Sequence, residues 1–345
     1  MRRCAMRRWT KASATRTRMT SVTLAIVVVV ASALIAQSPP AAGPKTPWGD
    51  PDLQGIWDGK TQTPLQRPEK FADREFLTDE EVTTLEQQSR ANPGRDARPE
   101  RGSLLDVAEA YNNIWSSQYG GRIVRTKRTS LIVDPPNGKL PPLTAEGQKR
   151  VDAEREFVRI YGRVSETGPG GPADNPEDRP QDRCRGVSLP CIGALCAFSR
   201  IVQTPGLVTI YFESGHHGGI YRRIPVDSQP HLPSNIRQWL GDARGRWEGE
   251  TLVVDTTNFS GQISFQGSTD NLHLVERFTR TAPDMILYRV TVEDPTVFTT
   301  PWTFEMTLTL QDNKANQIFE AACHEGNYAM TNVLKGARVS QGARR

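Results

Sequence analysis

From Trp302 to Leu310 every second residue is apolar. Trp302, Phe304, Met306, Leu308 and Leu310 alternate with Thr303, Glu305, Thr307 and Thr309, and this period of two predicts a strand with one dry face and one wet face. Alternating or β-branched runs recur at residues 199–203, 207–212, 221–224, 251–256, 272–280, 285–293 and 317–323, each read as a further strand. Thr204, Pro205 and Gly206 mark a turn between the first two of these. The links at 282–284 and 312–313 are too short for a crossover, which predicts an antiparallel meander. Residues 239–259 read as a hairpin: Asp242 and Gly245 bracket a tight turn, and Gly249 breaks the chain again before Thr251. About eight antiparallel strands in one sheet must close or fold over to protect their edges. A lipocalin-like β-barrel is therefore expected first and a β-sandwich second; a barrel of this size can hold one small ligand.

The N-terminal half patterns differently. Residues 48–57 place Trp48, Leu53, Ile56 and Trp57 around turn residues and predict a first strand. At 77–82, Thr78 and Glu81 have the spacing of a capping box, so a helix starts there, and Asn92, Pro93 and Gly94 end it. Helices are also expected over 103–119, carried by Leu104, Leu105, Ala108, Tyr111 and Trp115, over 144–160, and over 327–334. A short strand at 130–133 ends in Asp134, Pro135 and Pro136. Residues 165–182 are rich in proline, glycine and acidic residues, a flexible loop by composition. The implied organisation is a signal segment at 1–36, a Pro/Ala linker at 37–47, a mixed region at 48–164, a loop at 165–183, a β-rich domain at 184–338 and a tail at 339–345.

Charge and cysteine usage change the picture in one respect. Seven of the basic residues lie in 1–36, which has no acidic residue, and the remainder carries 36 basic against 39 acidic residues. A nucleic-acid-binding surface is thereby disfavoured. The basic start, the apolar run at 22–36 and the small residues Ala31, Ser32 and Ala33 together read as an export signal, with an uncleaved anchor as the alternative and Met19 as an alternative start. The expected location is periplasmic or extracellular, with membrane contact only through that segment. In an oxidising compartment Cys184, Cys191, Cys196 and Cys323 read as disulfide partners, with three pairings open.

No nucleotide-binding loop, nucleophile elbow or HExxH helix is present. Three other places can carry chemistry. Glu213, His216 and His217 sit among glycines after the 207–212 strand. Glu276 falls on the dry face of its strand with Leu272, Leu274 and Phe278, so it must pair with an arginine or act as a tuned acid. Cys323, His324 and Glu325 end the 317–323 strand; with Glu276, His324 and Glu325 are the candidate acid–base residues. His217, His231 and His324 are the candidate set for a divalent metal. Around the hairpin, Trp239, Asp242, Arg244, Arg246 and Trp247 form a candidate ligand-binding rim whose charged residues suit an anionic small molecule.

The strings PDLQGIW, RTSLIVDPP, IRQWLGDARGRWEGETLVVDTTNF, LHLVERFTR, VTVEDP, PWT and ACHEGNYAM resemble a broad family of secreted, functionally uncharacterised bacterial proteins. The resemblance carries no activity. It implies that Cys184, Asp242, Trp247, Glu248, Glu276, Arg277, Cys323, His324, Glu325 and Asn327 belong to the recurring pattern, which adds Arg277 to the ligand-binding set. It also implies a Cys184 to Cys323 disulfide, leaving Cys191 with Cys196. The expected function is an exported barrel that binds a small, partly apolar ligand. The alternatives are an exported hydrolase or lyase with a Glu/His acid–base pair, with or without a divalent metal, and a structural envelope protein.

Overall fold

The computed structural model describes residues 43–59, 61, 63–71, 74–91, 126–161, 189–192, 198–212, 220–227, 229–261, 264–312 and 314. The chain divides into two units, Met1–Pro39 and Pro40–Arg345, and everything described below belongs to the second. Among the described residues no helix is long and apolar enough to cross a membrane.

Ten strands form one sheet: β1 (Gly55–Asp58), β2 (Ile132–Asp134), β3 (Phe198–Thr204), β4 (Leu207–Phe212), β5 (Ile220–Pro225), β6 (Asp242–Glu248), β7 (Thr251–Thr257), β8 (His273–Ala282), β9 (Met285–Glu293) and β10 (Trp302–Leu310). Nine of them follow the order β5-β4-β3-β1-β10-β9-β8-β7-β6, and β2 pairs with β10 beside that path. Every pairing is antiparallel. The sheet curls into a nearly closed β-barrel, the first of the two architectures the alternating pattern predicts. The expected strands at 199–212, 221–224, 251–256, 272–280, 285–293 and 302–310 are all present to within a few residues.

Closure has a consequence of parity. With nine strands each antiparallel to the next, the two terminal strands run in the same direction, so the β5/β6 seam is the one place where the wall is parallel. No ladder joins β5 to β6 among the described residues. They meet by packing, at Gly245. A Cβ there would lie 2.9 Å from Ile224 Cγ2 and 3.1 Å from Val226 Cγ2, and only glycine permits that approach. The expected turn at Asp242 to Gly245 is therefore corrected: these residues are strand, and the chain reverses at Gly249 (φ 60°) and Glu250 instead. Because β5 and β6 are parallel, residues 226–241 must cross back along the outside of the barrel to start β6.

Two other segments cover the barrel. Residues 44–54 lie over the end that carries the β3/β4, β6/β7 and β8/β9 turns. Gln203 Oε1 accepts from Leu53 N at 2.6 Å, Gln203 Nε2 donates to the Pro51 carbonyl at 3.1 Å, Arg280 donates to the Asp52 carbonyl at 2.7 Å, and Lys45 pairs with Glu250. At the opposite end Phe259, Phe265, Val297 and Phe298 join the core. Helix α2 (Ala145–Tyr161) starts against the β9/β10 loop, with Thr144 donating to the Thr296 carbonyl and accepting from Gly147 N. Helix α1 (Asp79–Ala91) has the predicted capping box: Thr78 N donates to Glu81 at 2.9 Å and Glu81 N to Thr78 Oγ1 at 3.2 Å. The expected helices at 103–119 and 327–334, the loop at 165–182 and the strand at 317–323 lie outside the described residues.

Candidate functional site

Strand alternation sorts every side chain of the wall to one face or the other. Register then stacks the inner positions of β10, β9, β8, β7 and β6 into layers. One layer holds Trp302, Val292, Leu274, Thr256 and Ala243; the next Phe304, Val290, Glu276, Val254 and Gly245; the third Met306, Tyr288, Phe278, Leu252 and Trp247. Across the barrel, β5 contributes Ile220, Arg222 and Ile224 to the same interior.

A single polar cluster interrupts these apolar layers. Glu276 is fully buried, and Arg222 reaches it from β5 with two parallel N–H groups, one at 2.8 Å to Oε1 and the other to Oε2. The Tyr288 hydroxyl donates to Glu276 Oε1 at 2.6 Å, and the same guanidinium donates to Thr256 Oγ1 at 2.6 Å. The cluster thus ties all three layers to the strand on the far side of the seam. Burial pulls Arg222 toward deprotonation, but the charge and hydrogen bonds of Glu276 outweigh it and hold the guanidinium above its ordinary value. Burial, together with the Glu276 charge, raises the Tyr288 phenol well above its ordinary value. The phenol is a neutral donor at any physiological pH.

Among the described residues four N–H groups of the inner wall find no acceptor: Arg222 Nε, Arg280 Nε, Trp302 Nε1 and Trp247 Nε1. Trp302 is packed by Phe298 at 5.7 Å and Phe304 at 5.9 Å between ring centroids. Trp247, on the inner face of β6, is half-buried.

The outer face at the β6/β9 side carries a second cluster. His231, on the crossover, hydrogen-bonds Asp242 through Nδ1 at 3.0 Å and Asp255 through Nε2 at 3.1 Å. His273 hydrogen-bonds the same Asp255 oxygen through Nε2 at 3.0 Å and Glu293 through Nδ1 at 2.9 Å. A carboxylate only accepts, so the ring nitrogen is the donor in each of these hydrogen bonds. The hydrogen bond to Asp255, opposed by burial and aided by Glu293, raises the His273 pKa. Asp255 is lowered, chiefly by His273. Burial pushes Asp242 up, but the Leu232 amide, His231 and Arg244 outweigh it and leave the carboxyl lowered.

The expected site residues are thereby distributed. Glu276 faces inward, away from His231 and His273, so the wall separates the buried carboxylate from the described imidazoles. Of the hairpin set, Trp247 alone lies on the inner face of a strand. Asp242 and Arg244 face outward; Asp242 holds His231, and Arg244 reaches Asp242 at 3.2 Å. Arg246, Glu248 and Arg277 form an exposed outer ladder in which Arg277, then Arg246, lowers the Glu248 pKa. Trp239 ends the crossover just before β6. His217, Cys184, Cys196, Cys323, His324 and Glu325 lie outside the described residues, as do Glu213 and His216. Cys191 is buried and disulfide-bonded. Among the described residues no group of three or more His, Cys, Asp or Glu is arranged to hold a metal ion.

Arg222, Tyr288 and Thr256 are the members of the inner cluster that the sequence reading did not single out. The signal for Arg222 is the one used for Glu276: in IYRRI it occupies the dry register between Ile220 and Ile224. Comparison of the chain with protein-family models finds no match, and neither does comparison with curated proteins.

Proposed function

We propose that this chain is an exported β-barrel protein that holds a small, partly apolar molecule against the inner wall of its barrel. The observation that carries the reading is the set of unmatched N–H groups on that wall, above all Arg222 Nε, deep among apolar side chains. A buried donor without an acceptor costs roughly 1–3 kcal/mol, and groups of this kind persist in folded proteins chiefly where something else uses them. A guest that supplies acceptors to two or three of them removes that cost. The apolar layers around them supply the rest of the affinity through burial. Most inner-wall side chains are closed to solvent, so the guest is small and enters by movement of the wall. Export is supported by the basic and apolar start of the sequence and by the four cysteines that follow it.

The test is direct. The mature protein, purified without denaturation from the compartment to which it is exported, is weighed by native mass spectrometry, extracted with organic solvent and titrated with N-phenyl-1-naphthylamine. A stoichiometric small molecule in the extract, or saturable quenching of tryptophan fluorescence by the probe, is the expected result. A clean extract together with no saturable probe binding overturns the reading.

A further inference from the structure

The charges of the inner wall also restrict what the guest can be, a restriction that rests on the binding reading above. We infer that the guest carries one negative charge, a carboxylate on an otherwise apolar molecule, and that this head group sits at Arg280, at the barrel end covered by residues 44–54.

Three observations combine. The first is a charge count. Among the described residues the charged side chains at inner positions of the nine ring strands are Arg222, Glu276 and Arg280. Arg222 and Glu276 neutralise each other through two parallel hydrogen bonds, which leaves Arg280 over. Half-buried and in register with Ile286, it donates to the Asp52 carbonyl at 2.7 Å and to the Pro283 carbonyl. Of the carboxylates on the neighbouring segments, Asp52 accepts from Gln54 N at 2.9 Å and Glu250 pairs with Lys45. Backbone carbonyls take hydrogen bonds but leave the charge of the guanidinium uncancelled, and a charge drawn out of water is stabilised by a counter-charge.

The second observation is the free donor. Arg280 Nε is closed to solvent and has no acceptor. The two carbonyls and the Trp57 ring, 5.4 Å from the guanidinium, hold the group in place, so a head group meets a fixed N–H and loses little in ordering it. The third is distance. Glu276 stands four residues from Arg280 along β8, about 13 Å at the rise of a strand, and the layer of Phe278, Tyr288, Leu252 and Met306 lies between them. An anion at Arg280 is therefore remote from the one inner carboxylate, itself already neutralised, and that layer can receive the apolar part of the guest. Arg244 and Arg246, the cations expected to meet an anion at the hairpin, face outward and pair with Asp242 and Glu248. An uncharged ester satisfies the Arg280 donor but not its charge, whereas a carboxylate satisfies both.

A matched series separates the cases: displacement of N-phenyl-1-naphthylamine from the mature protein at neutral pH by octanoate, methyl octanoate and octylammonium. Octanoate should be effective at a concentration about tenfold or more below the other two, the difference that one hydrogen bond to a charged group makes. The ester or the amine equal to or tighter than octanoate overturns the inference, while the binding reading survives. A molecule recovered by solvent extraction should itself be a carboxylate; a neutral or cationic one also overturns the inference. A clean extract together with no saturable probe binding removes the binding reading itself. An Arg280→Gln variant, checked for native circular dichroism and melting, provides the second readout. It should abolish the preference for octanoate over the ester; a preference that persists in the folded variant takes Arg280 out of the site and overturns the assignment. Should the variant not fold, the wild-type series and the extract decide the question alone.

Discussion

Glu276 shows how much a single residue's register decides. Placed on the dry face by strand alternation, its carboxyl oxygens find their partners in two N–H groups of Arg222, which stands opposite, and in the Tyr288 hydroxyl. Removing one member of a buried pair is far worse than removing both, since the survivor is left charged and unmatched. Glu276→Leu alone is therefore expected to lose about 3–5 kcal/mol of stability in urea unfolding. Adding Arg222→Leu should restore a large part of it; a double variant no more stable than the single one would show that the pair does not act as a unit. The outer cluster makes a prediction of a different kind. The His273 pKa is raised, so its contribution is complete below the unfolded imidazole value near 6.5 and is lost as pH rises through the folded value. The Asp255 pKa is lowered, so its contribution is complete above about 3.9 and is lost as pH falls through its folded value. The melting temperature of wild type minus that of His273→Gln should therefore be largest between about pH 4 and 6.5 and shrink toward pH 9. A difference that grows with pH contradicts this assignment.

At the scale of the element, what decides the structure is which faces and edges find partners. The alternation in 302–310 and 272–280 made both strands and their dry faces legible, because burial on one side of a sheet leaves a period of two in the sequence. The capping box at Thr78 was legible for a similar reason: it is a local device with a fixed spacing. Gly245 was misread because glycine carries the same mark at a turn as at a close approach of two strands. Only the position of β5, set by chain more than twenty residues away, distinguishes the two. The approach itself is testable. Gly245→Val places methyl groups where Ile224 and Val226 already stand, and overpacking of this sort costs about 1–3 kcal/mol. Ile224→Ala in the same chain should recover part of that loss. Equal loss in the single and double variants, by thermal or urea unfolding, would mean that the seam is not packed at this point.

The whole molecule depends on closure, and closure is where reading the sequence stopped. Runs of strand residues announce a sheet, yet nothing local reports that nine of them lie in one ring. Nor does it report that an odd number leaves β5 parallel to β6, or that Arg222 faces Glu276 across the interior from 54 positions away. The same global arrangement fixes where a guest can enter. One end is covered by residues 44–54, held by Gln203 and Arg280, and the other is packed by Phe259, Phe265 and Phe298. Among the described residues strand ladders hold the wall except at the β5/β6 seam, where parting the strands breaks packing and no paired backbone. Entry through the seam is therefore the expected route. Cysteines introduced as Ile224→Cys and Gly245→Cys should, once oxidised, slow uptake of N-phenyl-1-naphthylamine in stopped flow by about tenfold or more, the effect of raising the barrier by about 1.4 kcal/mol. Reduction should restore the rate relative to wild type treated identically. Uptake unaffected by the staple would move the entrance to an end of the barrel, and the segment 44–54 would then be the part that moves.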